Sequence, residues 1–82
     1  MKKIIGGKLY DTEKAMLITS WKNGYLVVHK LYKTARGAWL ETRAIDGYRE
    51  EFIDVICEQR AKELLSGNPE AYIEFFGEPE EA

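Results

Sequence analysis

The sequence predicts a small α+β domain, and three observations indicate this class. The chain has 82 residues and a globular composition, with 45% hydrophobic and 12% aromatic residues. Residues 25–45 are rich in β-branched and aromatic side chains, as strands are. Residues 58–77 carry helix start and stop signals. We expect a single domain over residues 1–77 and an acidic C-terminal tail over residues 78–82.

Two elements are predicted before residue 24. Gly6 and Gly7 allow the positive φ angles of a tight turn, which predicts a β-hairpin over residues 3–10. A helix is predicted over residues 11–21, because Asp11 or Thr12 can cap it and apolar residues follow at helical spacing. These apolar residues are Ala15, Ile18 and Trp21, and we expect Trp21 to be a core anchor.

The central segment predicts an antiparallel β-hairpin, or a three-stranded sheet built on it. Residues 25–34 and 38–45 are the strands, and Gly37 closes the loop in the left-handed conformation. This register places Tyr32 opposite Leu40 and Val28 opposite Ala44. Because that side is mostly apolar, we assign it to the core. The other side carries His29, Lys33, Glu41 and Arg43, with Leu31 and Trp39 among them.

Two short C-terminal helices are expected. Asp46-Gly47 predicts a turn, and residues 48–65 allow either one long helix or a short strand near 51–55 followed by a helix from about residue 58. A second helix begins after Asn68, with Pro69 at its first position, and ends at Gly77.

Charge is divided unequally along the chain. Residues 1–45 carry nine basic and three acidic side chains, whereas residues 46–82 carry three basic and eleven acidic ones. The net charge of −2 conceals this division. It predicts either an electrostatic partner surface or two halves whose charges compensate each other in the fold.

Three segments resemble a known group of proteins. They are KIIGGKLYDTEKA at residues 3–15, LYKTARGAW at residues 31–39 and YIEFFGE at residues 72–78. Together they are similar to short uncharacterised phage and mobile-element proteins of Gram-positive bacteria. In those proteins the first turn is usually Asn-Gly, and a proline before a short helix stands where this chain has Val55. The resemblance favours the strand-then-helix interpretation of residues 51–65 and implies a phage or mobile-element accessory protein.

No motif for catalysis, cofactor binding or metal binding is present in the sequence. With one histidine and one cysteine, the chain cannot build an ordinary zinc site. We interpret His29 as a surface strand residue and Cys57 as a small core residue. We therefore expect a non-enzymatic protein without a cofactor. No segment has the length of a membrane span or the pattern of a signal peptide, which predicts a cytoplasmic protein that does not bind membranes.

The expected function is binding to a host protein, with counter-defence inhibition of the anti-CRISPR kind or acidic mimicry of nucleic acid as specific forms. Homodimerisation through the apolar part of the sheet is a variant of this prediction. The alternative is nucleic-acid binding through the basic and aromatic hairpin 25–45, although the pI of about 5.4 is low for such a protein. The candidate partner-binding residues are Lys33, Arg36, Trp39, Glu41, Arg43, Glu63, Glu70 and Glu74.

Overall fold

The computed structural model describes residues 1–24, 26–45, 47 and 51–82. Within these ranges the chain forms six strands followed by two helices, which agrees with the predicted α+β class. The elements are β1 (Lys2–Ile5), β2 (Lys8–Asp11), β3 (Met16–Asn23), β4 (Val27–Lys33), β5 (Trp39–Ile45), β6 (Glu51–Ile56), α1 (Glu58–Leu65) and α2 (Pro69–Phe76).

The strands form two antiparallel sheets. Strands β1 and β2 make the predicted N-terminal hairpin, and both glycines of its turn have positive φ, 58° at Gly6 and 78° at Gly7. Strands β3, β4, β5 and β6 follow one another in a four-stranded meander, so the predicted hairpin or three-stranded sheet is too small, because both β3 and β6 pair with the central hairpin. The predicted pairing of Tyr32 with Leu40 is confirmed, as is a left-handed Gly37 with φ 86°.

The predicted helix over residues 11–21 is wrong, because β3 occupies most of this segment. The Asp11 side chain accepts a hydrogen bond from the Glu13 backbone N–H at 3.0 Å, which closes a turn instead of capping a helix. A register shift between Leu17 and Thr19 then lets Ile18 and Trp21 pack on the same side of the sheet. Three-residue spacing on one side of a bulged strand therefore imitates helical spacing.

The strand-then-helix interpretation is confirmed over residues 51–65, where β6 precedes α1. The single long helix is wrong in this part, because β6 pairs with β5 along its whole length. Helix α2 is capped as predicted, with Asn68 Oδ1 accepting from the Ala71 N–H at 3.4 Å and Pro69 in its first turn. The predicted turn at Asp46-Gly47 and the start of the segment at residues 48–50 lie partly or wholly outside the described residues.

Both faces of the four-stranded sheet are covered, so the assignment of a single core side was incomplete. Side chains alternate between the faces of a strand. The face that carries Leu31 and Trp39 packs against both helices, through a cluster that includes Ala61 and Leu65. The predicted core face is the smaller cluster of Tyr32, Leu40 and Ile53, against which Ile5, Tyr10 and Ala15 pack. The N-terminal segment therefore covers one face of the sheet, and the C-terminal helices cover the other.

Candidate functional site

The outer side of the two helices carries a concentration of negative charge. Helix α1 buries Ala61 and Leu65 against the sheet, with Leu64 partly buried beside them, whereas Glu58 and Glu63 are exposed. Residues 58–76 contain four acidic and two basic side chains, and three further carboxylates in the tail bring the net charge of residues 58–82 to −5. Three of the carboxylates that the sequence predicted as partner-binding are exposed on this layer, namely those of Glu63, Glu70 and Glu74.

Helix α2 places two carboxylates of like charge next to each other. Glu70 and Glu74 are four residues apart and therefore lie on one side of the helix. Neither carboxylate forms an ion pair with another described residue. A like-charge pair at this spacing costs a few tenths of a kcal/mol, and α2 has no basic residue in its last turn to offset its dipole. This arrangement opposes helix stability, and a cationic ligand would relieve it.

An apolar pocket of about 280 Å³ lies beside these carboxylates. Its wall includes Tyr72 and Ile73 of α2, and the side chain of Ile73 is 41% exposed. Gly77 ends the helix with a φ of 82°, a left-handed conformation that turns the chain, and Pro79 of the tail lines the same pocket. Ser66 and Pro69 complete the wall. The helical layer thus combines exposed carboxylates with a recess that can accept an apolar side chain.

Trp39 and Glu41 do not lie on an open surface, which corrects their prediction as partner-binding residues. Trp39 is 5% exposed and Glu41 is 8% exposed, because the helices cover their side of the sheet. The aromatic rings of Phe75 and Phe76 lie 5.5 and 5.4 Å from the Trp39 ring, measured between centroids. Tyr32, on the opposite face, is 9% exposed. The hairpin 25–45 therefore presents neither Trp39 nor Tyr32 as a stacking platform for bases.

The remaining predicted basic residues differ in their availability. Lys33 is half-buried, and its Nζ lies 4.8 Å from the centroid of the Trp39 ring and 5.2 Å from that of Phe75. These cation–π contacts hold the ammonium group within the fold. Arg43 is exposed but pairs with Asp54 at 3.1 Å across neighbouring strands. Arg36 is exposed on the β4–β5 loop, on no face shared with the acidic helices.

A partly buried charge cluster ties α1 to the sheet, and no residue spacing predicted it. His29 Nδ1 lies 3.3 Å from Glu41 Oε2, and Arg60 Nε lies 3.7 Å from Glu41 Oε1. Arg60 also reaches Glu63 Oε2 at 3.6 Å. The His29 ring stacks on Trp21 with centroids 5.2 Å apart, so His29 is not the surface residue that we predicted. In the strand register His29 lies opposite Arg43 and not opposite Glu41. The register therefore did not predict the contact between His29 and Glu41.

The His29–Glu41 pair is largely enclosed by the fold. The His29 side chain is 13% exposed, and its Nε2 is buried without a hydrogen-bond partner among the described residues. A general base must come within hydrogen-bond distance of a substrate proton. Trp21 covers the ring face and the helices cover this side of the sheet, so the geometry gives the pair a structural role in joining β4, β5 and α1.

Cys57 is exposed, so its prediction as a core residue is wrong. It occupies the N-cap position of α1, and its side chain makes no capping hydrogen bond. Within the described ranges, no group of three or more histidine, cysteine or acidic side chains could hold a metal ion. No helix in the described part of the chain is long and apolar enough to cross a membrane.

Comparison of the chain with protein-family models, with curated proteins and with solved structures finds no match. We call the exposed carboxylates of Glu63, Glu70 and Glu74, together with the pocket beside Ile73, the acidic surface.

Proposed function

We propose that this protein is a non-enzymatic binding module that docks a basic, partly apolar segment of a partner protein on its acidic surface. The observation that carries the proposal is the combination on α2 of two unpaired carboxylates, Glu70 and Glu74, with a half-exposed Ile73 at the rim of an apolar pocket. The like-charge pair opposes the stability of α2, and Ile73 leaves apolar surface in water, whereas both features suit a docking site.

The two parts of the acidic surface supply different properties of binding. The carboxylates attract a basic partner from a distance and accept charge-assisted hydrogen bonds from arginine or lysine side chains. The pocket beside Ile73 removes an apolar side chain from water, which contributes about 25 cal/mol per Å² of apolar surface buried. Charge thus selects the partner and sets the rate of association, and the pocket slows dissociation.

The partner that suits this surface is a host protein in which such a segment borders a basic groove. Such grooves bind phosphates in nucleic-acid-processing enzymes, and spaced carboxylates on a rigid helix can occupy them by complementary charge. The resemblance of three segments to phage and mobile-element proteins supports the same setting. A counter-defence inhibitor is the form of this function that we propose.

The proposal can be tested with a defined probe before the natural partner is known. The probe is a short peptide of alternating arginine and leucine, titrated into ¹⁵N-labelled protein at low salt. We expect chemical-shift changes concentrated at residues 66–79. We also expect the E70Q/E74Q variant to bind at least about tenfold more weakly, since two charge-assisted contacts are lost. Ile73→Ser should weaken binding without changing the salt dependence.

A matched control removes two carboxylates outside the acidic surface. The E13Q/E51Q variant loses the same charge from the turn after β2 and from β6, and it should bind the peptide nearly as tightly as the parent. In affinity capture from nuclease-treated host lysate, E70Q/E74Q should lose a protein that E13Q/E51Q retains. Equal retention by both variants, or shifts confined to the sheet, would show that the acidic surface is not the docking site.

A further inference from the structure

A second recess lies on the opposite side of the molecule from the acidic surface. It is a cleft of about 690 Å³ between β2, the turn that follows β2, and the β4–β5 loop. Three basic side chains line it, Lys8, Lys14 and Arg36, and each comes from a different one of these elements. We call it the basic cleft. The residues at its floor belong to the segment that packs against Tyr32 and Leu40, on the face that the helices do not cover.

Hydrogen bonds within the two turns fix the backbone around the basic cleft. Asp11 accepts from the Glu13 N–H at 3.0 Å, and the Lys14 N–H donates to the Asp11 carbonyl at 3.2 Å. On the other wall, Thr34 Oγ1 accepts from the Ala38 N–H at 3.0 Å. Lys14 and Arg36 therefore project from hydrogen-bonded turns and Lys8 from the paired strand β2, which reduces the entropy lost on binding a ligand.

The positive charge of the basic cleft is not neutralised within the described part of the chain. None of Lys8, Lys14 and Arg36 forms an ion pair there. The single carboxylate of the lining belongs to Asp11, which is 8% exposed and already accepts a backbone hydrogen bond. Three cations against one carboxylate favour an anionic ligand. Arg36 offers a planar fork for two oxygens of a phosphate, and the lysines act as point charges.

The size and the walls of the basic cleft favour a ligand larger than a small inorganic anion. Its volume lies within the range of about 300–1,000 Å³ that is usual for small-molecule sites. Leu9, Tyr10, Ala15 and Ala38 supply apolar walls beside the cations. A ligand that fills this space needs a phosphate group and an apolar or aromatic part. We propose that the basic cleft binds a phosphate ester of nucleotide size, either a free nucleotide or one unit of a nucleic-acid strand.

This site differs from the basic and aromatic hairpin that the sequence suggested for nucleic acids. Its lining includes Arg36 but neither Lys33 nor Trp39. The Lys33 ammonium group contacts the Trp39 ring, and Trp39 itself is buried. Two of its cations, Lys8 and Lys14, come from the N-terminal segment. The basic cleft is also independent of the acidic surface, because the two are built by different segments on different faces of the sheet.

The test measures binding of three probes by ¹⁵N chemical shifts at low salt: inorganic phosphate, adenosine monophosphate and a short oligothymidylate. We expect adenosine monophosphate to shift residues 8–15 and 34–38 and to bind more tightly than inorganic phosphate. If the oligonucleotide binds more tightly still and with a steep salt dependence, the physiological source is a nucleic-acid strand. If it does not, the source is a free nucleotide.

Two variants of equal charge separate a specific site from general attraction. K14Q/R36Q should weaken adenosine monophosphate binding about tenfold or more, since two charge-assisted contacts disappear. K2Q/K22Q removes two lysines that do not line the cleft, and binding should change less than about twofold. All four residues are exposed, so both variants should fold, and their unfolding transitions check this. Equal losses in the two variants, binding of inorganic phosphate as tight as that of the nucleotide, or no binding of any probe at about 1 mM would overturn the proposal.

Discussion

The helix-covered and the hairpin-covered faces of the four-stranded sheet differ in both packing and outer charge. On the helix-covered face, Trp39 is buried among aromatic rings of α2, and the helices that cover it carry a net negative charge. On the hairpin-covered face, the smaller cluster around Leu40 is buried, and the hairpin and turn that cover it are rich in lysine. The unequal distribution of charge along the sequence therefore becomes an unequal distribution of charge between the two sides of the sheet. The basic N-terminal segment and the acidic C-terminal helices pack on opposite faces, and no ion pair among the described residues joins them.

The largest expected effect is on the free energy of unfolding, and it differs between the hydrophobic clusters on the two faces. Trp39→Ala removes the ring that contacts Phe75 and Phe76, and replacing a buried tryptophan by alanine costs about 3–5 kcal/mol. A domain of this size has a free energy of unfolding on the order of 5 kcal/mol, so the variant should be largely unfolded.

Tyr10→Ala is the matched change on the hairpin-covered face, where the side chain is only half-buried. It should cost less, about 1–2 kcal/mol, and leave a cooperative transition. Urea unfolding followed by tryptophan fluorescence measures both variants. A Tyr10→Ala variant less stable than Trp39→Ala would reverse the ranking of the two clusters.

The next effect concerns the charge cluster under α1. Glu41→Gln leaves His29 and Arg60 without their shared carboxylate in a partly buried site, which should cost about 1–3 kcal/mol. Asp54→Asn breaks only the exposed pair with Arg43 and should cost at most about 1 kcal/mol. Thermal unfolding of the two variants at neutral pH tests this contrast. Equal destabilisation would mean that Glu41 does not join α1 to the sheet.

Alkaline pH probes the hairpin-covered face through Tyr32. Burial, with a smaller contribution from the nearby charge of Glu51, raises the pKa of the Tyr32 hydroxyl above its usual value of 10.0. In the unfolded chain this tyrosine loses its proton near pH 10, whereas in the folded chain it keeps the proton to higher pH. The unfolded state therefore binds fewer protons above pH 10, and the free energy of unfolding falls as the pH rises through this range.

Replacement of Tyr32 by phenylalanine removes this source of alkaline instability. As the pH rises above 10, the free energy of unfolding should fall less in the Tyr32→Phe variant than in the parent. Urea unfolding at several pH values measures this difference. Tyr72→Phe, in α2, is the control. If Tyr32→Phe and the parent lose stability in parallel, Tyr32 does not ionise in a buried site.

The smallest expected effect on stability comes from a substitution on α2 that should raise stability and remove binding. Glu74→Lys converts a like-charge pair with Glu70 into an attractive one and places a cation in the last turn. It should stabilise the protein by about 0.3–0.5 kcal/mol. The same change should abolish binding of the arginine–leucine peptide. A variant that is more stable and still binds would remove Glu74 from the acidic surface.

Local turn chemistry made much of the fold predictable. Gly6-Gly7, Gly37 and Asn68-Pro69 each demand a specific backbone conformation within a few residues, and all three occur as predicted. The segment 11–21 was mispredicted because its outcome depends on a partner strand. The backbone of β3 bonds to β4, and a bulge gives its apolar residues helical spacing.

The site was only partly predictable for a related reason. Glu63, Glu70 and Glu74 are exposed, as partner-binding residues must be, but Trp39 and Glu41 are buried because α1 and α2 pack on their face. Alternation along a strand separates the two faces, yet it does not say which face the helices will cover. Neither does it reveal that Lys8 and Lys14 share a cleft with Arg36 from a distant loop.

One measurement tests most directly the claim that the two charged surfaces lie apart. Paramagnetic cosolutes of opposite charge are added separately to ¹⁵N-labelled protein, and amide relaxation is recorded along the chain. The anionic probe should enhance relaxation most around Lys8, Lys14 and Arg36, and the cationic probe most around Glu70 and Glu74, with both differences shrinking as salt is added. If both probes enhance relaxation equally at both surfaces at low salt, the charges compensate each other in solution and the account is contradicted.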